Sequence, residues 1–189
     1  MEKTFLLLCS FVALPLLTLT HANVSGPYSR QSPDAGLNGR ATTGELRVVI
    51  DKSDYELHLY EDGEWLASYP VVFGSSSQDD KRMEGDRLTP EGSFRIIHKK
   101  HHAEWGRFLL LDYPNPESKQ KFQKLRSTGK IPATARIGGG IGIHGTRPSE
   151  EYAVDKYINW TLGCVSLKHS EMLELYDLLP VGTPVEIRR

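Results

Sequence analysis

Cysteine is nearly missing from this chain: two in 189 residues, Cys9 and Cys164. A disulfide framework of the kind that staples small secreted domains is therefore excluded. A charge excess of either sign is also missing, with 23 Lys and Arg against 24 Asp and Glu. No basic stripe could neutralise a phosphate backbone, so nucleic acid is not an expected partner. Internal repeats are lacking, which argues against a solenoid or propeller. Long apolar runs are lacking too, with one exception at the N-terminus.

That exception reads as an export signal. Met1-Glu2-Lys3 supplies one positive charge, Phe5 to Leu19 is apolar, and Thr20-His21-Ala22 ends on a small residue. This three-part pattern predicts a cleaved segment over residues 1–22. The alternative, an uncleaved anchor, is disfavoured by Pro15 and by a run that is short for a spanning helix. Cys9 follows Leu8 rather than a small residue, so it does not read as a lipidation site. The expected destination is the periplasm or cell envelope, with no stable membrane insertion after cleavage. Cys9 leaves with the signal and Cys164 becomes the only thiol. In an oxidising compartment a lone cysteine is a buried small hydrophobe, an intermolecular bridge or a working thiol.

What remains is an ordinary globular composition, 39% hydrophobic and 25% charged, and is long enough for one domain with a real core. Residues 23–44 are rich in Gly, Ser, Pro, Asn and Thr without apolar periodicity, and read as a flexible linker. From residue 45 the pattern changes. "ELRVVID" is β-branched, and "YELHLYE" sets Tyr55, Leu57 and Leu59 against Glu56, His58 and Tyr60. Asp62-Gly63 then supplies a hairpin turn into "EWLASYPVVF", predicting a β-meander. Residues 74–92 form a long polar loop, a length that marks function or disorder. "GSFRIIH" and "RFLLLDY" read as strands, and "ESKQKFQKLRST" as a surface helix. Ser170 caps a predicted helix to Leu179 whose apolar face is Met172, Leu175, Tyr176 and Leu179. "TPVEIR" closes the chain as a strand. Residues 45–189 are thus expected to be one mainly β domain with a few peripheral helices.

The candidate chemistry gathers at "GGGIGIHGT" and "INWTLGCVSL". A thiol attacks carbonyls as its thiolate, and with a free pKa near 8.5 it needs a base nearby. His144 lies twenty positions before Cys164 and is the candidate base. His144 precedes Gly145 and Cys164 follows Gly163, so backbone and substrate can approach both closely. Peptide N–H groups there could face a developing oxyanion, an effect worth about 2.7–4 kcal/mol per donor in other enzymes. Trp160 reads equally as core or as a wall of an acyl pocket.

The string His144-Gly145, fifteen residues, then Thr161-Leu162-Gly163-Cys164-Val165 resembles the signature of the L,D-transpeptidase catalytic domain, HG followed at this interval by [S/T]-x-G-C-[V/I]. The likeness extends over most of residues 45–189, including "VVIDKSDYELHLYEDGEWLASYPV", "GDRLTPEGSF" and "VGTPVEIR". It implies a mixed sandwich- or barrel-like β fold with Cys164 as nucleophile and His144 as general base and acid. The Gly145 carbonyl would orient the imidazole, N–H groups around Gly163 and Cys164 would form the oxyanion hole, and Thr161 would support the turn through its hydroxyl. The implied substrates are peptidoglycan stem peptides as donor and acceptor, with a wall-anchored protein as a further acceptor. No cofactor or metal is implied, since a thioester conserves the acyl potential. Many members carry arginine two places after the cysteine, where this chain has Ser166; Arg147 is the candidate substitute.

His98, His101 and His102 in "HKKHH" match no zinc spacing and read as a solvated strand end. Asn159-Trp160-Thr161 matches a glycosylation sequon, but a sugar there would crowd Cys164, so the match reads as coincidence. Two rival functions stand beside transpeptidation. One is a carboxypeptidase or amidase that passes the same thioester to water; the other is a non-catalytic wall-binding module with Cys164 merely packed.

Overall fold

The computed structural model describes Leu37 and residues 42–189. The expected export signal at 1–22 and most of the linker lie outside the described residues. The predicted meander is present. β1 (Leu46–Asp51), β2 (Glu56–Glu61) and β3 (Glu64–Pro70) pair antiparallel in order. Asp62 and Gly63, both at positive φ (52° and 85°), turn β2 into β3; two such residues in sequence form the turn whose twist matches paired strands.

Non-local pairing builds the rest. β4 (Gly92–His102) pairs by its first half with β8 (Pro184–Arg188) and by its second half with β5 (Gly106–Leu111). β8, the last strand in sequence, lies parallel to β1 and joins it to β4. β6 (Gly142–Gly145) is antiparallel to β5, and β7 (Val165–Leu167) is parallel to β6. The order is β3-β2-β1-β8-β4-β5-β6-β7. The chain leaving β3 then bridges from Val72 to Ser166 of β7 and from Gly74 to Thr161. Those bridges join the two outer ends into a near-barrel, which satisfies strand edges that would otherwise stand open. This is the mainly β architecture expected.

Among the described residues three short α-helices decorate it. α1 (Pro116–Ser127) begins with Asn115, whose side chain accepts the Ser118 N–H at 2.9 Å, and has proline in its first turn; both are strong start signals. α2 (Tyr152–Asp155) is a single turn. α3 (His169–Leu178) buries Met172 and Leu175. Ser170 is not its cap. Lys168 stands there, with its N–H donating to the Glu171 carboxylate at 3.2 Å, so a carboxylate one turn ahead does what a capping hydroxyl was expected to do. α3 lies on one face of β6: a Cβ on Gly145 would sit 3.3 Å from Met172 Cβ and 3.4 Å from His169 Cα. Side chains alternate along a strand, so Ile143 shares that helix-covered face with Gly145, and His144 points to the other.

The long loop 74–92 is built rather than loose. Fully buried Lys52 pairs with Glu91 at 2.7 Å and donates to the carbonyls of Asp79 and Thr89. Asp86 takes Lys81 at 2.7 Å and accepts the N–H groups of Arg82, Met83 and Leu88.

Candidate active site

Strand register assembles the site. Lys100 of β4 stands opposite Phe108 of β5, Phe108 opposite His144 of β6, and His144 opposite Ser166 of β7. The four form one row across four strands, on the face away from α3. Cys164 lies two residues before Ser166, so the pleat places it on the His144 side as a diagonal neighbour. The register therefore puts the sequence-chosen residues on one face of neighbouring parallel strands, with Cys164 just ahead of β7, although a long segment of chain separates them.

His144 is 1% exposed. Its Nδ1 lies 2.9 Å from the carbonyl oxygen of Gly145. A carbonyl only accepts, so Nδ1 carries the proton and Nε2 keeps a free lone pair. Trp105 stacks on the imidazole at 4.4 Å, Phe108 lies nearly parallel at 5.9 Å, and Trp160 meets it edge-on at 5.4 Å. Burial pushes the imidazole pKa down to about 4; the bond to Gly145 opposes that shift and the nearby His102 adds to it. At neutral pH this histidine is an uncharged base. Gly145 is closely packed: a Cβ would lie 3.0 Å from the Trp105 carbonyl as well as against α3, so its neighbours would have to give way.

Cys164 is a free, partly accessible thiol. Its Sγ is 3.7 Å from the Gly140 carbonyl oxygen. Burial pushes its pKa up, against a hydrogen bond from Gly142 and the fields of Lys81 and Lys100. Thiol and imidazole are thus both neutral at rest, unlike a thiolate–imidazolium pair. The turn before the thiol is held by Thr161, whose hydroxyl donates to the Cys164 carbonyl at 2.7 Å and accepts the Gly163 N–H at 3.1 Å. Gly163 has φ of 133°, and a Cβ there would lie 2.8 Å from the Leu88 carbonyl. Conformation and space both demand glycine. The same contact shows that the long loop walls the thiol turn, as does the bond from Ser75 N–H to the Thr161 carbonyl at 2.9 Å.

Other sequence-chosen residues fall differently. Arg147 is exposed and its guanidinium is taken, 2.7 Å from Glu104 and 3.0 Å from Glu150. Ser166 is fully buried with its backbone bonded both ways to Val72, and its hydroxyl has no partner among the described residues. Trp160 is a wall of the site. The sequon residue Asn159 holds the neighbouring loop, accepting the Phe73 N–H at 2.8 Å and donating to the Tyr55 hydroxyl at 3.2 Å. Sequence reading missed Trp105 and set aside His102, which stacks on Trp105 at 4.1 Å and is half-buried rather than a solvated strand end. An aromatic residue immediately before a glycine-opened strand was the one available signal.

Comparison with known proteins bears on the family and the fold. The model of the L,D-transpeptidase catalytic domain family matches residues 45–187. A Bacillus subtilis (strain 168) protein named "Putative L,D-transpeptidase YqjB" is 28% identical over 156 residues, covering 82% of this chain and 78% of the relative. Among solved structures, the helical cell shape determining protein Pgp2 from Campylobacter jejuni superposes with a TM-score of 0.53 at 20% identity, over 80% of this chain and 52% of its own. Enterococcus faecium L,D-transpeptidase does so with 0.51 at 18%, over 76% and 50%. The chain spans about half the length of these solved relatives, and the likeness to them is one of fold. The family match runs from the first residues before β1 into β8, and it contains both the thiol turn and the imidazole strand. This chain belongs to the L,D-transpeptidase catalytic domain family.

Proposed function

We propose that residues 45–189 form an exported peptidoglycan L,D-transpeptidase with Cys164 as nucleophile and His144 as proton carrier. The donor is a tetrapeptide stem. Cys164 Sγ attacks the carbonyl carbon of the third residue, a diamino acid, while the thiol proton passes to His144 Nε2. The C–N bond breaks, the terminal D-alanine leaves, and its amine takes the proton from His144. An amine of a second stem, or a lysine of a wall-anchored protein, then attacks the thioester and restores the thiol.

The observation that carries this reading is the arrangement on one face: an imidazole whose Nδ1 is committed to Gly145, and a thiol two residues before the Ser166 that pairs with His144, whose pKa burial pushes up. Such a pair stays uncharged until a carbonyl arrives, and the proton moves as the C–S bond forms. Because the Gly163 N–H is committed to Thr161, the Cys164 N–H carries the oxyanion role. Partial access to the thiol speaks against a merely packed cysteine in a wall-binding module.

Purified muropeptides test the assignment. Incubation yields crosslinked dimers with release of D-alanine, and Cys164→Ala yields none while keeping its melting temperature. Tripeptides without dimers would make the protein the hydrolase, and continued crosslinking by Cys164→Ala would falsify the cysteine mechanism.

A further inference from the structure

Two adjacent lysines of β4 meet different fates. Lys99 points to the helix side, where its ammonium donates to the carbonyls of Tyr176 and Leu179 at the end of α3. Lys100 points to the site face. Its ammonium lies 4.8 Å above the Phe108 ring, and it has no carboxylate partner among the described residues. One aromatic ring separates that ammonium from the ring of His144. Two nearby cations are engaged: Lys81 is buried against Asp86, and Arg147 is held by two glutamates. Ser166, two places after the thiol, offers only a buried hydroxyl.

The reaction proposed above gives this free charge a place. His144 protonates the departing amine, so the leaving residue lies on the His144 side of the sulfur. In a residue that ends the chain, the carboxylate is one carbon beyond that amine. Moving from Cys164, just ahead of β7, past His144 on β6 and Phe108 on β5, the row ends at Lys100 on β4. We infer that Lys100 binds the terminal carboxylate of the departing residue and so selects donors in which that residue ends the stem. This inference rests on the proposed transpeptidase reading. A lysine suits the task because its ammonium is a compact charge with three donors and accepts a range of approach geometries. A leaving group has to be held without being trapped. That the field of Lys100 reaches the thiol is separate support for its nearness to the reacting centre.

The test compares two synthetic donors, a tetrapeptide stem with a free terminal carboxylate and the same peptide as its terminal carboxamide. Steady-state kinetics are run on the purified protein and on Lys100→Gln and Lys100→Arg. Lys100→Gln raises KM for the carboxylate donor about tenfold, the usual scale for a hydrogen bond to a charged group. It leaves kcat and the carboxamide donor little changed, and Lys100→Arg restores most of the loss. Alkylation of Cys164 by iodoacetamide stays within about twofold, since a single exposed charge acts weakly through solvent. If Lys100→Gln weakens both donors equally, or neither, Lys100 only covers Phe108 and the inference falls while transpeptidation stands. If the unaltered protein turns over neither donor, both readings fall together.

Discussion

The two faces of β5, β6 and β7 are made by alternate residues of the same short strands, yet they share almost no chemistry. On the helix side Leu109, Ile143 and Val165 stand opposite one another, all buried, and the row ends at Lys99, whose ammonium closes the end of α3. On the other side the row reads Phe108, His144, Ser166, with Cys164 one pleat away and Lys100 at the end. One face spends its polar atoms on holding the fold. The other leaves a lone pair on His144, a partly accessible thiol and an unpaired ammonium. A polar group buried without a partner costs stability, so such a face persists because the aliphatic one beneath it supplies the cohesion.

The comparison breaks hardest at its centre. His144→Gln keeps a polar side chain of similar length but has no group that takes a proton at neutral pH. Its turnover falls by about 10²–10⁴, the range for loss of a general acid–base, with donor binding and melting temperature nearly unchanged. Its neighbour behaves in the opposite sense. Ile143→Ala removes a fully buried side chain and costs about 2–5 kcal/mol of unfolding free energy, read by denaturant titration, while turnover per folded molecule stays close to that of the unaltered protein. If the two effects were interchanged, the division between faces would be an artefact of naming.

Acid separates the faces next. His144 has its folded pKa lowered to about 4 from an ordinary 6.5, so below about pH 6.5 the unfolded chain binds a proton that the folded chain resists. Stability from this residue is fully present above that pH and is lost as pH falls toward 4, amounting to about 3 kcal/mol for a shift of this size. Denaturation midpoints measured from pH 7 to pH 4 fall steeply in the unaltered protein and less so in His144→Gln. Equal slopes in the two would place the imidazole in water.

Much of this division was legible beforehand, for local reasons. The meander follows from alternation and from the turn chemistry of Asp62-Gly63. The apolar face of α3 follows from Met172 and Leu175 at helical spacing, and the candidate pair from glycines beside a lone cysteine and a histidine. What stayed hidden is non-local. Nothing near residue 184 announces that β8 will lie between β1 and β4, nor does Lys52 announce that it will anchor a loop near residue 80. Trp105 and His102 become site residues only because β5 returns antiparallel to β4. Ser170 looked like a cap because hydroxyls usually cap, and Glu171 took the role through Lys168 N–H instead.

Thr161 sits where the two faces have to be reconciled, and it gives the finest test. Its hydroxyl is both donor to the Cys164 carbonyl and acceptor from the Gly163 N–H, while its backbone ties to Phe73 and Ser75. Thr161→Val keeps the shape and deletes the hydroxyl, leaving a buried N–H and a carbonyl without that partner, at about 1–3 kcal/mol. If the hydroxyl only stiffens the scaffold, the loss appears in the melting temperature and the acylation rate holds. If it positions the nucleophile, the acylation rate falls about tenfold as the turn loosens and the Cys164 N–H drifts from the oxyanion, because misplacement of reacting groups by a fraction of an ångström is felt in rate before it is felt in binding. The geometry favours the second outcome, since the hydroxyl bonds to the peptide group of Cys164 itself. Thr161→Ser, which keeps both bonds, then recovers the rate even where it does not recover the full melting temperature.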